Sequence, residues 1–147
     1  MMMTPEQIAL VQQSFARVAP IAPQAAAIFY DKLFAADPSL RAMFRGDMAA
    51  QGEALMRMIA AAVRTLDQPE HLVPVLRNLG RRHDAYGVKP QHYDTVGGAL
   101  IATLEQGLGP AFDMPTRAAW VAMYTMVSRT MQAAVPQQEQ EQMAAAA

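Results

Sequence analysis

Apolar residues recur every three or four positions along nearly the whole chain, and no segment alternates with period two over a useful length. The pattern therefore predicts helices and no sheet. Thr4-Pro5-Glu6-Gln7 reads as an N-cap, a proline at the first helical position and a capping-box glutamine. A first helix should run to about Val18, where Pro20 and Pro23 break it. A second should span about Pro23 to Phe34, with Ala26, Tyr30, Leu33 and Phe34 on one face. Asp37-Pro38-Ser39 caps a short helical segment ending near Phe44, and Arg45-Gly46-Asp47 forms a corner.

From Asp47 to Leu66 the helical period returns, aligning Gln51, Leu55, Met58 and Ala62. Gln68-Pro69-Glu70 starts a helix whose stripe is Leu72, Leu76, Leu79 and His83. It ends at Ala85-Tyr86-Gly87-Val88, with Gly87 suited to a left-handed cap. Pro90 opens a helix carrying Tyr93, Val96, Leu100, Leu104 and Leu108, which Gly107-Leu108-Gly109-Pro110 terminates. Gly97-Gly98 inside it reads as a close helix crossing. Pro115 begins the last long helix, which turns Trp120, Met123, Tyr124, Val127 and Met131 inward. The sum is an all-α domain of about seven helices over residues 1–135, followed by a low-complexity and flexible tail over 136–147.

The 147 residues suit one domain, which at this size buries about 68–70% of its unfolded surface, enough to enclose a pocket. A hydrophobic content of 52% supports a real core. The formal charge of −1 gives no field to attract nucleic acid or an anionic membrane, so neither is expected as a partner. No apolar run reaches the ~18 residues of a membrane span. The start, MMMTPEQ, lacks a basic region followed by an apolar one, which makes the cytoplasm the expected location. With no cysteine, the chain has no disulfides, zinc thiolates, iron–sulfur ligation or covalent attachment of a porphyrin through thioethers. Any metal must be held by histidine or oxygen.

Three apolar stripes each end in one polar group: Tyr30, Gln51 and His83. A lone histidine on an apolar face is more often a hydrogen-bonded core residue than a ligand. That bland explanation covers any one of the three easily and all three together less well, because each sits beside aliphatic or aromatic neighbours. The alternative places a ligand between them. A neutral imidazole at the edge of a greasy wall is what an iron porphyrin needs, and Tyr30 and Gln51 can both donate to a diatomic that acquires negative charge. Leu55 lies one turn from Gln51, and Phe44 could wedge a flat cofactor. His71 and His92, each in a first helical turn, read as surface residues. Arg81 and Arg82 read as solvated charges, one of which could pair with a cofactor carboxylate. The methionines are mostly core filler.

In this order, these residues resemble bacterial single-domain globins and the globin domain of flavohaemoglobins. The resemblance rests on FYDKLFAADPSLRAMF (Phe29–Phe44), QGEALMRMIAAAV (Gln51–Val63) and LGRRHDAYGVKPQHYDTVGGAL (Leu79–Leu100), with support from AWVAMY (Ala119–Tyr124). It implies a globin fold, its helices crossing at ~50° around a pocket for non-covalent haem b. By resemblance His83 is the proximal iron ligand and Phe44 packs on the haem, with Leu55, Leu79, Arg82, Val88 and Tyr93 also lining the cofactor. Tyr30, Gln51 and Leu55 would face the gas. The implied function is reversible binding or transport of dioxygen, or binding of nitric oxide or carbon monoxide. The alternative is a nitric oxide dioxygenase served by an external reductase. Two departures stand out. There is no room for the flavin- and NAD-binding module of flavohaemoglobins, and the place of the glutamate that polarises their proximal histidine falls at about Val135, with no acid nearby.

Overall fold

The computed structural model describes residues 3–146, with side chains described for residues 3–135. Among the described residues, six α-helices follow one another: α1 Pro5–Val18, α2 Ala22–Ala36, α3 Met48–Arg64, α4 Pro69–Ala85, α5 Pro90–Leu108 and α6 Met114–Ala146. The seventh expected helix, Pro38–Met43, is a short 3₁₀ segment, because Asp37 caps it and only six residues follow before the corner. The other two 3₁₀ turns, Ala19–Ile21 and Gly109–Ala111, are the proline-bearing junctions. The tail expected from residue 136 onward lies outside the residues whose side chains are described. No helix among the described residues is long and apolar enough to cross a membrane.

The predicted caps form as written. The Thr4 hydroxyl accepts from the Gln7 N–H at 3.1 Å, and the Gln7 side chain accepts from the Thr4 N–H at 3.1 Å. At the other end of α4, Gly87 adopts φ +89°, the Val88 N–H donates to the His83 carbonyl at 3.0 Å, and the Gly87 N–H donates to the Asp84 carbonyl at 3.0 Å. These two bonds make a Schellman turn, which needs the left-handed residue that glycine supplies without strain.

Helix α4 packs on α6, α2 on α5 and α3, and α1 on α6. The core centres on Trp120, fully buried, whose indole N–H donates to the Ser14 hydroxyl at 2.8 Å. A second buried cluster gathers Phe29, Tyr30, Leu33, Leu40 and Ala99, with Phe44, Leu55 and Val96 against it. Of the two glycines read as a crossing, only Gly97 is one. A Cβ there would stand 2.6 Å from the Tyr124 ring, whereas Gly98 faces open space. A tighter approach was not anticipated: a Cβ on Gly80 would stand 2.1 Å from the Met131 carbonyl oxygen. That contact presses the His83 helix directly onto the backbone of α6.

Candidate functional site

A cavity of about 330 Å³ opens between these helices, lined among others by Tyr30, Phe44, Gln51, Leu55, Leu79, His83, Val88 and Tyr93. Two groups of residues contribute its walls. Helices α2 and α3 with the corner supply Tyr30, Phe44, Gln51 and Leu55. Helices α4, α5 and α6 supply Leu79, His83, Tyr93, Tyr124 and Met131. Among the described residues, no Lys, Arg, Asp or Glu lines it. Sequence reasoning named eight lining residues that the fold brings together here. Arg82, which the resemblance also placed at the cofactor, is exposed and is not among the residues lining the cavity.

His83 is half-buried, and its Nδ1 lies 2.8 Å from the Leu79 carbonyl oxygen. A carbonyl only accepts, so Nδ1 carries the hydrogen and Nε2 keeps its lone pair. Burial pushes the imidazole below its ordinary pKa and so favours the neutral ring, opposed in part by that same bond, which favours the protonated one. The Schellman turn fixes its backbone, and the Tyr93 ring lies near it, centroids 6.4 Å apart and planes inclined by 29°. Tyr93 is held in turn, because the Tyr124 hydroxyl donates to its carbonyl. Burial raises the pKa of both phenols, with the Asp84 charge adding at Tyr93, and with Tyr93 and Asp94 adding at Tyr124. Both stay protonated donors.

The other wall is arranged differently. Buried Tyr30 packs edge-on against Phe44, centroids 5.3 Å apart, and burial raises its pKa. Its hydroxyl donates to the main-chain carbonyl of Gln51 at 3.3 Å. The Gln51 amide donates to the Arg45 carbonyl at 3.2 Å, at the exposed corner. The amide that composition and period aligned with Leu55 is thus drawn toward the rim.

His71 is exposed, as expected. His92 is not a plain surface residue: it is half-buried and lines the same cavity as His83. The first turn of α5 places it there, because the Lys89 N–H donates to its Nδ1 at 2.9 Å and caps the helix. Sequence reasoning also missed Tyr124, Ser128 and Met131 as cavity residues. They fall in the middle of the inward stripe of α6, and nothing in the pattern separates them from core. Their one signal is the Gly97 notch that admits the Tyr124 ring.

The residues fit an iron porphyrin. The walls are apolar, one imidazole nitrogen (His83 Nε2) presents a free lone pair, and no three His, Cys, Asp or Glu side chains among the described residues cluster to hold a bare metal ion. Comparison with known proteins agrees. A family model described as Globin matches residues 27–131. A neuroglobin of Tetraodon nigroviridis is 37% identical over 118 residues, covering 71% of this chain and 74% of that protein. The flavohemoproteins of Vibrio cholerae and Bacillus subtilis are 27% and 31% identical, and the chain spans 33% and 26% of their lengths. The crystal structure of a hexacoordinated heme protein from an anhydrobiotic tardigrade at pH 4 superposes with a TM-score of 0.82. It covers 90% of this chain and 94% of that one at 15% identity, which bears on the fold alone.

Proposed function

The chain belongs to the globin family, and from that premise we propose that it binds haem b non-covalently on His83 and takes up dioxygen or another diatomic gas reversibly, as a bacterial globin of the single-domain kind. The observation that carries this reading is the His83 ring, held by the Leu79 carbonyl so that its Nε2 lone pair is left free in an apolar cavity. When bound, the porphyrin iron supplies an open coordination position for a gas. The chain does the rest. Leu55, Leu79, Val88 and Phe44 exclude water from the ring faces, and Phe44 and Tyr93 add aromatic surface. Tyr30 and Gln51 offer the hydrogen-bond donors on the α2–α3 wall. No imidazole stands on that wall, and an amide is a poor iron ligand.

The purified, haem-loaded protein therefore has a ferrous spectrum dominated by a five-coordinate form that converts on adding carbon monoxide or dioxygen and recovers when the gas is removed. A protein that takes up no haem, or a ferrous spectrum of six-coordinate bis-imidazole type, overturns the reading.

The Tyr30–Gln51 donor pair also suits a nitric oxide dioxygenase re-reduced by a separate protein. Sustained NADH-coupled consumption of nitric oxide, with a reductase supplied, favours that second reading. On the α4–α6 side, Nδ1 of His83 is met by a carbonyl and no acid among the described residues lines the cavity, so the imidazole is a weaker electron donor than one bonded to a carboxylate. This weighs toward gas binding over oxygen activation.

A further inference from the structure

Two histidines line the cavity, and they are wired in opposite senses. His83 donates from Nδ1 to a carbonyl, which leaves a lone pair on Nε2. His92 accepts at Nδ1 from the Lys89 N–H, so its ring hydrogen sits on Nε2. Its own N–H donates to the Lys89 carbonyl at 2.9 Å, closing a reciprocal cap that fixes the ring. One imidazole is prepared for a metal and the other for an anion. Among the described residues, Nε2 of His92 has no hydrogen-bond partner.

The other donors of the cavity are committed or misplaced. The hydroxyls of Tyr30 and Tyr124 donate to main-chain carbonyls, and the Gln51 amide donates to that of Arg45. Tyr93 and Ser128 are buried, where an ionised carboxylate would lose its hydration. His92 is half-exposed, so a carboxylate meeting it keeps part of its water. The exposed Lys89, three residues before it, adds positive charge without lining the cavity, and so does Arg82 at the end of α4.

We infer that His92, through its Nε2–H, anchors a carboxylate of the porphyrin at the mouth of the cavity. This inference rests on the haem reading above and is separable from it.

The test measures transfer of the porphyrin from the holoprotein to an excess of a tight-binding apoglobin. It uses iron protoporphyrin IX and its dimethyl ester, which has no carboxylate. His92→Ala should speed loss of the natural haem about five- to tenfold, the size of a partly exposed hydrogen bond to a charged group. With the dimethyl ester, wild type and variant should release the porphyrin at equal rates. His92→Glu restores an acceptor for the Lys89 N–H, because glutamate is the usual capping-box residue at this position. It should leave thermal stability near wild type while speeding haem loss at least as much as alanine. Arg82→Ala should change the rate less than His92→Ala.

Equal acceleration with both porphyrins would mean that His92 acts only by capping α5. Unchanged haem loss in both His92 variants, or a larger effect from Arg82→Ala, would also overturn the assignment while leaving haem binding intact. A wild-type protein that takes up no haem removes both readings together.

Discussion

The two walls of the cavity hold their polar groups in different states of readiness. On the α4–α6 side, the Leu79 carbonyl orients His83, Tyr124 braces the Tyr93 backbone, and the Gly80 notch seats α4 on α6, so the lone pair of Nε2 is presented with nothing left to rearrange. On the α2–α3 side, both donors are engaged with backbone carbonyls, Tyr30 at 3.3 Å and Gln51 at 3.2 Å. These are long bonds, each worth about 0.5–1.5 kcal/mol at most, so a gas that accepts more strongly can draw the donors away. On the proposed function, the His83 wall is preorganised for a metal, whereas the Tyr30–Gln51 wall would have to exchange one hydrogen bond for another to meet a gas. Such an exchange would tie selectivity to the charge a ligand acquires.

The sharpest way to break this contrast is to remove the prepared ligand. His83→Ala should abolish normal haem retention, since the only other cavity imidazole, His92, has its Nδ1 bonded to the Lys89 N–H and its hydrogen on Nε2. The ratio of Soret to protein absorbance after reconstitution and gel filtration reports this. His71→Ala, a change at an exposed residue, should leave the ratio unchanged. An unaltered five-coordinate ferrous spectrum in His83→Ala would assign the ligand elsewhere.

A smaller effect is expected from the wall that must rearrange. Tyr30→Phe keeps the ring against Phe44 and deletes only the donor. Donation to the gas is offset by the bond given up to the Gln51 carbonyl, so the net stabilisation is about 1–2 kcal/mol. Dioxygen dissociation should therefore accelerate about 5- to 30-fold. Carbon monoxide acquires little charge, and its release should change far less. Stopped-flow displacement of both gases separates the cases: equal acceleration would point to altered access, and no change would make Tyr30 a packing residue.

The contrast also explains what could be read from the chain beforehand. Helix ends, the left-handed Gly87 and the alignment of His83 with Leu72, Leu76 and Leu79 follow from local geometry, and they appear as expected. So does the convergence of Tyr30, Phe44, Leu55 and His83 on one cavity, which the order of residues suggested by resemblance. Contacts made between helices were not legible. Gly80 looks like any helical glycine until Met131 meets it, and Tyr124 sits mid-stripe like a core residue. His92 carries two signals at once, as a cap and as a cavity wall, and its proline and lysine neighbours show only the first. The direction of the Gln51 amide depends on a carbonyl that the Arg45 corner delivers, which periodicity cannot report.

The smallest expected effect decides which donor on the α2–α3 wall matters more. Tyr30 is 7% exposed, and its hydrogen bond works in a medium of low dielectric. Gln51 is half-exposed and its amide is bonded at the rim, where water competes for the same donor. Gln51→Leu keeps the main-chain carbonyl that holds Tyr30, so it removes the amide without disturbing its neighbour's partner. Loss of a solvent-screened donor corresponds to roughly 0.5–1 kcal/mol, or about a two- to fivefold faster dioxygen release. In the double variant the combined effect should depart from the product of the two factors, because both donors would serve the same bound gas. An effect of Gln51→Leu larger than that of Tyr30→Phe would reverse the ranking. It would show that the amide leaves the Arg45 carbonyl and turns inward when a gas binds, making the corner, and not the buried phenol, the element that retains the ligand.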